Sequence, residues 1–209
     1  MGRHSDKARE ALLDAAEELF AQDGIDAISN RRIAEHAGMA NHSAIAYHFG
    51  SRDELLRALL VRHTEPMDAR RRELAAQLGP DPTVYDLVRS RILPYVEVLE
   101  SLPRPSWRAQ CLMQLRSVPS ATAMAEDLLK ELDVEVDVTF LLAKADAIST
   151  DVMRARSSLV GYLVLGVCAE YEANMNAGTQ RGDWIGVGYF LIDAAAGMLS
   201  APASRPGRP

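Results

Sequence analysis

At 209 residues and 22.9 kDa, the chain is long enough for one large domain or two small ones, each with its own core. Hydrophobic residues at 48% and charged residues at 25% exclude a mainly disordered or fibrous chain. The net charge of −6, from 23 basic and 29 acidic side chains, excludes indiscriminate nucleic-acid binding but leaves room for a local basic surface.

The longest uncharged apolar stretch, Leu159 to Ala169, has 11 residues, where a transmembrane helix needs about 20. Met1 to Lys7 leads into a charged amphipathic segment rather than a signal-peptide core. Cys111 and Cys168 lack CxxC spacing and sit in apolar runs, as buried thiols of a reducing compartment do. A soluble cytoplasmic protein without membrane contact is expected.

Leu12, Leu13, Ala16, Leu19 and Phe20 follow the spacing of one helix face, with Ser5 as N-cap and Asp23-Gly24 as stop. Ser29 is the N-cap candidate of a short helix carrying Ile33, Ala34 and Ala37, which Gly38 ends. Ile45 and Phe49 belong to a third helix. Ser51 and Glu54 have capping-box spacing and open a helix through Leu55, Leu56, Leu59 and Leu60. Pro66 kinks or interrupts it before residues 67–78 resume it. Gly79-Pro80-Asp81-Pro82 reads as a linker.

Longer helices follow over residues 83–101 (with Pro94 inside), 107–116, 120–147, 150–177 and 183–200. Residues 133–140 alternate with the period of a strand, yet Leu128, Leu132, Val136 and Phe140 also stand four apart. A lone strand would leave its backbone groups unpaired, so helix is the preferred reading. The tail 201–209, with three prolines and a glycine, is expected to be disordered. The predicted fold class is all-α: an N-terminal three-helix helix-turn-helix domain over 1–60, ending at the start of a connecting helix, then a helical domain over 61–200.

Helix–glycine–helix is the arrangement that leaves one helix free for a DNA major groove. Arg31 and Arg32 occupy the opening turn of the second helix, where a cation costs about 0.3–1 kcal/mol. A DNA phosphate held by Ser29, backbone N–H groups and Arg31 would compensate; the plainer reading is that both arginines are solvated. Between Glu35 and Asp53 lies an acid-free window of 17 residues. Asn41, His42 and Ser43 precede the apolar part of the third helix. Asn pairs bidentately with adenine, and Ser and His donate to bases or phosphates, although the same types also cap helices. Tyr47, His48 and Arg52 at the far end offer phosphate-binding groups.

Ala34-Glu35-His36-Ala37-Gly38-Met39 and Tyr47-His48-Phe49-Gly50-Ser51-Arg52-Asp53-Glu54-Leu55-Leu56 closely resemble the DNA-binding domain of TetR-family transcriptional regulators, over about residues 8–60. The resemblance implies an all-helical homodimer with helix-turn-helix heads and a C-terminal domain holding the ligand pocket and dimer interface. The stretch from Gly38 to Phe49 has one residue more than the commonest family pattern. Ala46 stands where tyrosine is usual, with Tyr47 beside it, and Arg52 replaces the usual lysine. Phosphate contacts are carried over to Tyr47 and Arg52.

His36, His42 and His48 are six apart, which puts no two on one helix face, and no zinc pattern occurs. No metal, cofactor or catalytic constellation is expected. The last two helices are apolar nearly all round, with glycine and alanine for close approach, as in a four-helix dimer seam. Interface candidates are Leu159, Tyr162, Leu163, Gly166, Tyr189, Ile192 and Ala196. Pocket candidates are Tyr95, Trp107, Met113, Phe140 and Met153, with Arg108 or Gln110 as polar anchors.

The expected function is that of a ligand-responsive, sequence-specific regulator, a repressor released from a palindromic operator in double-stranded DNA by a small-molecule effector. The alternatives are a helical small-molecule-binding dimer that no longer binds DNA and an all-helical enzyme using the C-terminal cavity. Scarcity of lysine (Lys7, Lys130 and Lys144) slightly favours the first of these.

Overall fold

The computed structural model describes residues 2–131 and 148–202, and every regular element among them is an α-helix. The ambiguous segment 133–140, with Phe140, and residues 203–209 lie outside the described residues. In chain order the helices are α1 (Gly2–Asp23), α2 (Asn30–His36), α3 (Ala44–Phe49), α4 (Arg52–Ala76), α5 (Val84–Ser101), α6 (Arg108–Arg116), α7 (Pro119–Glu131), α8 (Thr150–Asn176) and α9 (Trp184–Ser200).

Two expectations about helix ends need correction. Nothing between Arg3 and Asp6 breaks a helix, so α1 begins at Gly2 and Ser5 lies inside it. Pro66 lies within the 25 residues of α4 and does not interrupt it; proline removes one backbone donor, and the helix continues past it. Elsewhere the capping signals act as read. The Ser51 hydroxyl accepts from the Glu54 N–H at 3.1 Å, and the Asp183 carboxylate accepts from the Gly186 N–H at 2.8 Å.

The chain packs into two compact units. The first gathers residues 2–66, 102–131 and 165–181, the second residues 67–101, 148–164 and 182–202. In the first, the predicted stripe of Leu12, Leu13, Ala16, Leu19 and Phe20 is fully buried, with Ile33, Ala34, Ile45, Leu55, Leu56, Leu59 and Leu60. From further along the chain, Cys111, Leu115, Ala121 and Leu128 complete this core, and α1 packs on α2, α3 and α6.

Two carboxylates, Glu17 and Glu172, are also buried here, each accepting hydrogen bonds. Glu17 of α1 accepts from His63 Nε2 at 2.9 Å, and Arg62 and Arg108 approach its carboxylate at 3.7 and 3.5 Å. Glu172 of α8 accepts from the Ala109 and Gln110 N–H groups at 3.2 and 2.9 Å and from the Ser106 hydroxyl at 2.7 Å. A carboxylate at the opening of α6 satisfies donors that lack helical partners and complements the helix dipole.

In the second unit α9 packs along α5. Gly188 makes this approach possible, since a Cβ there would lie 2.5 Å from Val96 Cγ2. Trp184, Leu191, Ile192, Ala195 and Leu199 are buried, as are Ile92, Leu93, Val96 and Leu99 of α5. Helix α8, at 27 residues, is long and apolar enough by length and composition alone to cross a membrane.

Candidate nucleic-acid interface

Ser29 adopts extended backbone (φ −80°, ψ 156°), and its hydroxyl accepts from the Arg32 N–H at 3.2 Å, which starts α2. The turn after α2 closes through Gly38 N–H to Glu35 O (3.0 Å) and Met39 N–H to Ala34 O (2.9 Å). Gly38 has φ +71°, a left-handed conformation that a side chain would strain. Asn41 then forms an Asx turn, its Oδ1 accepting from the Ser43 N–H at 2.9 Å. Ser43 is the residue before α3, and its hydroxyl makes no capping bond. Ala44 and Ile45 are buried, anchoring α3.

What remains outward is a polar strip: Asn41, His42 and Ser43 are exposed, and Tyr47 is 78% exposed. The Tyr47 and His48 rings meet edge to face at 4.8 Å. The strip offers amide, imidazole and hydroxyl groups in the turn before a short anchored helix and a phenol on it, groups that can bond to base edges.

Ser29, Arg31 and Arg52 line a second feature, a shallow depression of about 440 Å³ shared with Ile25, Asp26, Ile28 and Asn30. Arg52 is tied inward within it. Its Nη1 donates to Asn30 Oδ1 at 2.8 Å, its Nη2 to Ile25 O at 2.6 Å, and its guanidinium lies 5.0 Å from the Phe20 ring centre. Partial burial lowers its pKa. Arg52 therefore staples the start of α4 to the α1–α2 connection, leaving only part of its fork for an outside anion.

The other basic groups of α2 have carboxylate neighbours. Arg31 Nε donates to Glu35 Oε1 at 2.7 Å, and Arg32 lies 4.0 Å from Asp23. His42 Nε2 is 3.5 Å from the same Glu35 oxygen, so an acid from the edge of the window reaches into it. The hydrogen bond from Arg31 holds the Glu35 carboxyl below its ordinary range. His36 pairs instead with Glu18 at 3.0 Å. Among the described residues, no group of three or more His, Cys, Asp or Glu is placed to hold a metal ion.

The pocket candidates divide between the two units. Tyr95 and Met153 are buried in the second, whereas Trp107, Arg108, Gln110 and Met113 belong to the first. Trp107 and Arg108 line a cleft of about 380 Å³ there, with Asp14, Glu17, Arg62 and Pro105 among the other walls. Of the interface candidates, Leu159, Tyr162 and Tyr189 are 56%, 50% and 41% exposed, and Phe190, not foreseen, is 64% exposed. Leu163, Gly166 and Ala196 are half-buried. Ile192 needs correction: it is fully buried against its own chain and offers no surface to a partner.

Sequence reasoning missed the buried Glu17, His63 and Glu172 and the acceptor Asn30. A trace of the first was visible, since Glu17 stands four residues after Leu13 and three before Phe20, inside the apolar stripe. Glu172 likewise stands four after the buried Cys168.

Residues 12–59 match the sequence model of the bacterial regulatory proteins of the tetR family. No curated protein matches the chain. Among solved structures, a bacterial regulatory protein of the tetR family from Rhodococcus RHA1 is similar, with 18% identity, 94% of this chain and 98% of that one covered, and a TM-score of 0.58. A TetR-like transcriptional regulator from Rhodococcus sp. RHA1 aligns over 92% of this chain and 93% of its own, with 14% identity and a TM-score of 0.53. NalD, the secondary repressor of the MexAB-OprM multidrug efflux pump in Pseudomonas aeruginosa, aligns over 91% and 96%, with 21% identity and a TM-score of 0.53. At these identities the likeness to solved structures speaks for the fold, while the matched N-terminal segment speaks for the head. Residues 12–59 thus resemble the DNA-binding head of the tetR family, and the chain shares its fold with these solved regulators.

Proposed function

We propose that this regulator acts in the cytoplasm as a homodimeric repressor, held on a palindromic operator through α3 and released by a small molecule bound in its C-terminal helical domain (61–200). The observation carrying the proposal is the outward strip of Asn41, His42 and Ser43 in the turn leading into the anchored short helix α3, with Tyr47 on that helix. Flanking phosphates are assigned to Ser29, Arg31, Tyr47, His48 and Arg52. The uncovered side chains Leu159, Tyr162, Tyr189 and Phe190 supply the apolar surface a second copy would cover. Two heads related by a two-fold axis suit half-sites about 34–36 Å apart, or a multiple of that. Release requires the effector to bind the DNA-incompetent form more tightly, and operator DNA then weakens effector binding by the same factor.

Selection of genomic fragments by the purified protein, with the retained fragments sequenced, tests this. The expected result is a recurring palindrome; recovery of random fragments from a folded dimer would overturn it. One observation favours a second reading, a small-molecule-binding dimer silent toward DNA. Arg31, Arg32 and Arg52 each have partners within the chain, and lysine is scarce. The same selection separates the two readings.

A further inference from the structure

The arginines that open α2 and α4 are already engaged within the chain: Arg31 with Glu35, Arg32 with Asp23, and Arg52 with Asn30 and the Ile25 carbonyl. Each can meet a DNA phosphate only by sharing or giving up what it holds. Arg9 of α1 is differently placed. Its guanidinium carbon lies 4.9 Å from the centre of the Phe49 ring, within reach of cation–π attraction, and Phe49 is the last residue of α3. Among the described residues Arg9 forms no ion pair. Asp6 and Glu10 of its own helix are exposed, and Glu10 turns instead to Arg62 at 3.8 Å.

A ring face attracts the charge of a guanidinium but offers no oxygen to its N–H donors. Arg9 is half-buried, and none of its nitrogens is sealed from solvent without a partner, so the planar fork stays open to an outside acceptor. The platform beneath it is fixed, because Phe49 packs against the core of the first unit. Ala46, three residues before Phe49 on the helix, is exposed, so Arg9 borders a flank of α3 that faces solvent. Phe49 also lies inside the stretch between Glu35 and Asp53 that holds no acid. An uncommitted cation is thus held at the end of the helix that carries Tyr47.

We propose that Arg9 is a phosphate anchor supplied from outside the α2–α3 pair, donating to the DNA backbone beside α3 while the Phe49 ring holds it against that helix. The inference rests on the reading of the chain as a DNA-binding regulator and names a contact of that same site. Held by a ring and not by an acid, Arg9 breaks no ion pair on meeting phosphate, unlike Arg31. A backbone contact of this kind sets the position of α3 in the groove and carries no sequence information of its own.

The test is binding of the full chain to a palindromic duplex and to its scrambled counterpart between about 50 and 200 mM salt. Arg9→Gln and Arg9→Lys are run beside the wild type, with a melting curve for each. Arg9→Gln removes the charge and is expected to weaken both duplexes alike, by about tenfold or more per bound head. The slope of log affinity against log salt should become shallower by about 0.9 per head, with Tm close to that of the wild type. Arg9→Lys keeps the charge and is expected to keep the slope. If Arg9→Gln retains the wild-type slope, whether or not its Tm falls, the guanidinium merely covers Phe49 and the anchor is wrong. A loss confined to the palindrome would make Arg9 a reader of bases and would equally overturn the phosphate role.

The wild type run in parallel separates the two levels. Preference for the palindrome with a slope that ignores Arg9 sinks the anchor and spares the regulator. Equal binding of both duplexes with an Arg9-dependent slope does the reverse, and absence of binding at any salt concentration overturns both.

Discussion

Arg52 combines an observed structural role with a proposed one at DNA phosphate. Its hydrogen bonds to Asn30 and to the Ile25 carbonyl, with the Phe20 ring beneath it, make it a structural tie between α4 and the α1–α2 connection. Arg52→Ala should therefore lower the stability of the first unit by about 1.5–3 kcal/mol, the usual worth of hydrogen bonds to a charged group. It should also weaken binding to all DNA sequences alike. A melting curve shows the first effect; an unchanged Tm with a salt slope flattened by one would assign Arg52 to phosphate alone. His63 is the second residue to test. Burial pushes its pKa down against the pull of Glu17, while the hydrogen bond from His63 and the charges of Arg108 and Arg62 hold Glu17 low in spite of its own burial. The native pair is thus neutral imidazole donating to carboxylate. Both groups have depressed native pKa values, so their contribution is complete above the unfolded-state pKa of His, about 6.5, and is lost as pH falls below it. Unfolding free energy should drop by up to about 1.4 kcal/mol per pH unit below that point. In His63→Gln, which keeps a donor for Glu17, the slope between pH 6.5 and 5 should become shallower, as measured by urea unfolding. An equal slope in the variant would show that other groups set it.

Among the elements, α3 is the one to which the proposal assigns specificity. Asn41 and Ser43 differ as probes. The Asn41 side chain holds the turn through the Ser43 N–H, so Asn41→Ala loosens the turn as well as any base contact. The Ser43 hydroxyl makes no capping bond, and Ser43→Ala is the cleaner substitution. It should leave Tm within about 0.5 kcal/mol of stability and relax preference by about 1–3 kcal/mol at one base position. Competition binding with operator variants reads this directly, and an unrelaxed preference would take Ser43 off the bases. The helices themselves were legible in sequence, because a stripe such as Leu12 to Phe20 repeats with the period of the helix that buries it. The ties between them were not. Glu17 and His63 stand 46 positions apart, and Arg52 and Ile25 stand 27 apart. Such pairings depend on where helices cross, which no local pattern encodes. For the same reason the apolar seam was visible as composition, yet Ile192 could not be told from Tyr189 by residue type. Only the register of α9 on α5 puts one inside and the other out.

At the scale of the whole molecule, each compact unit is discontinuous in sequence, so segments 102–131 and 165–181 belong to the unit of the N-terminal helices. The core that supports the head is completed by α6 and α7, and Glu172 of α8 fixes the opening of α6. The second unit carries the exposed Leu159, Tyr162, Tyr189 and Phe190. In the proposed two-fold repressor a second copy would cover them. The most direct measurement is the affinity of the purified protein for a recovered palindromic fragment against its scrambled counterpart, across salt concentration. Repression through α3 predicts a preference of about 10³-fold or more at physiological salt, with both affinities falling steeply as salt rises. Equal affinity for the two fragments at every salt concentration would contradict it.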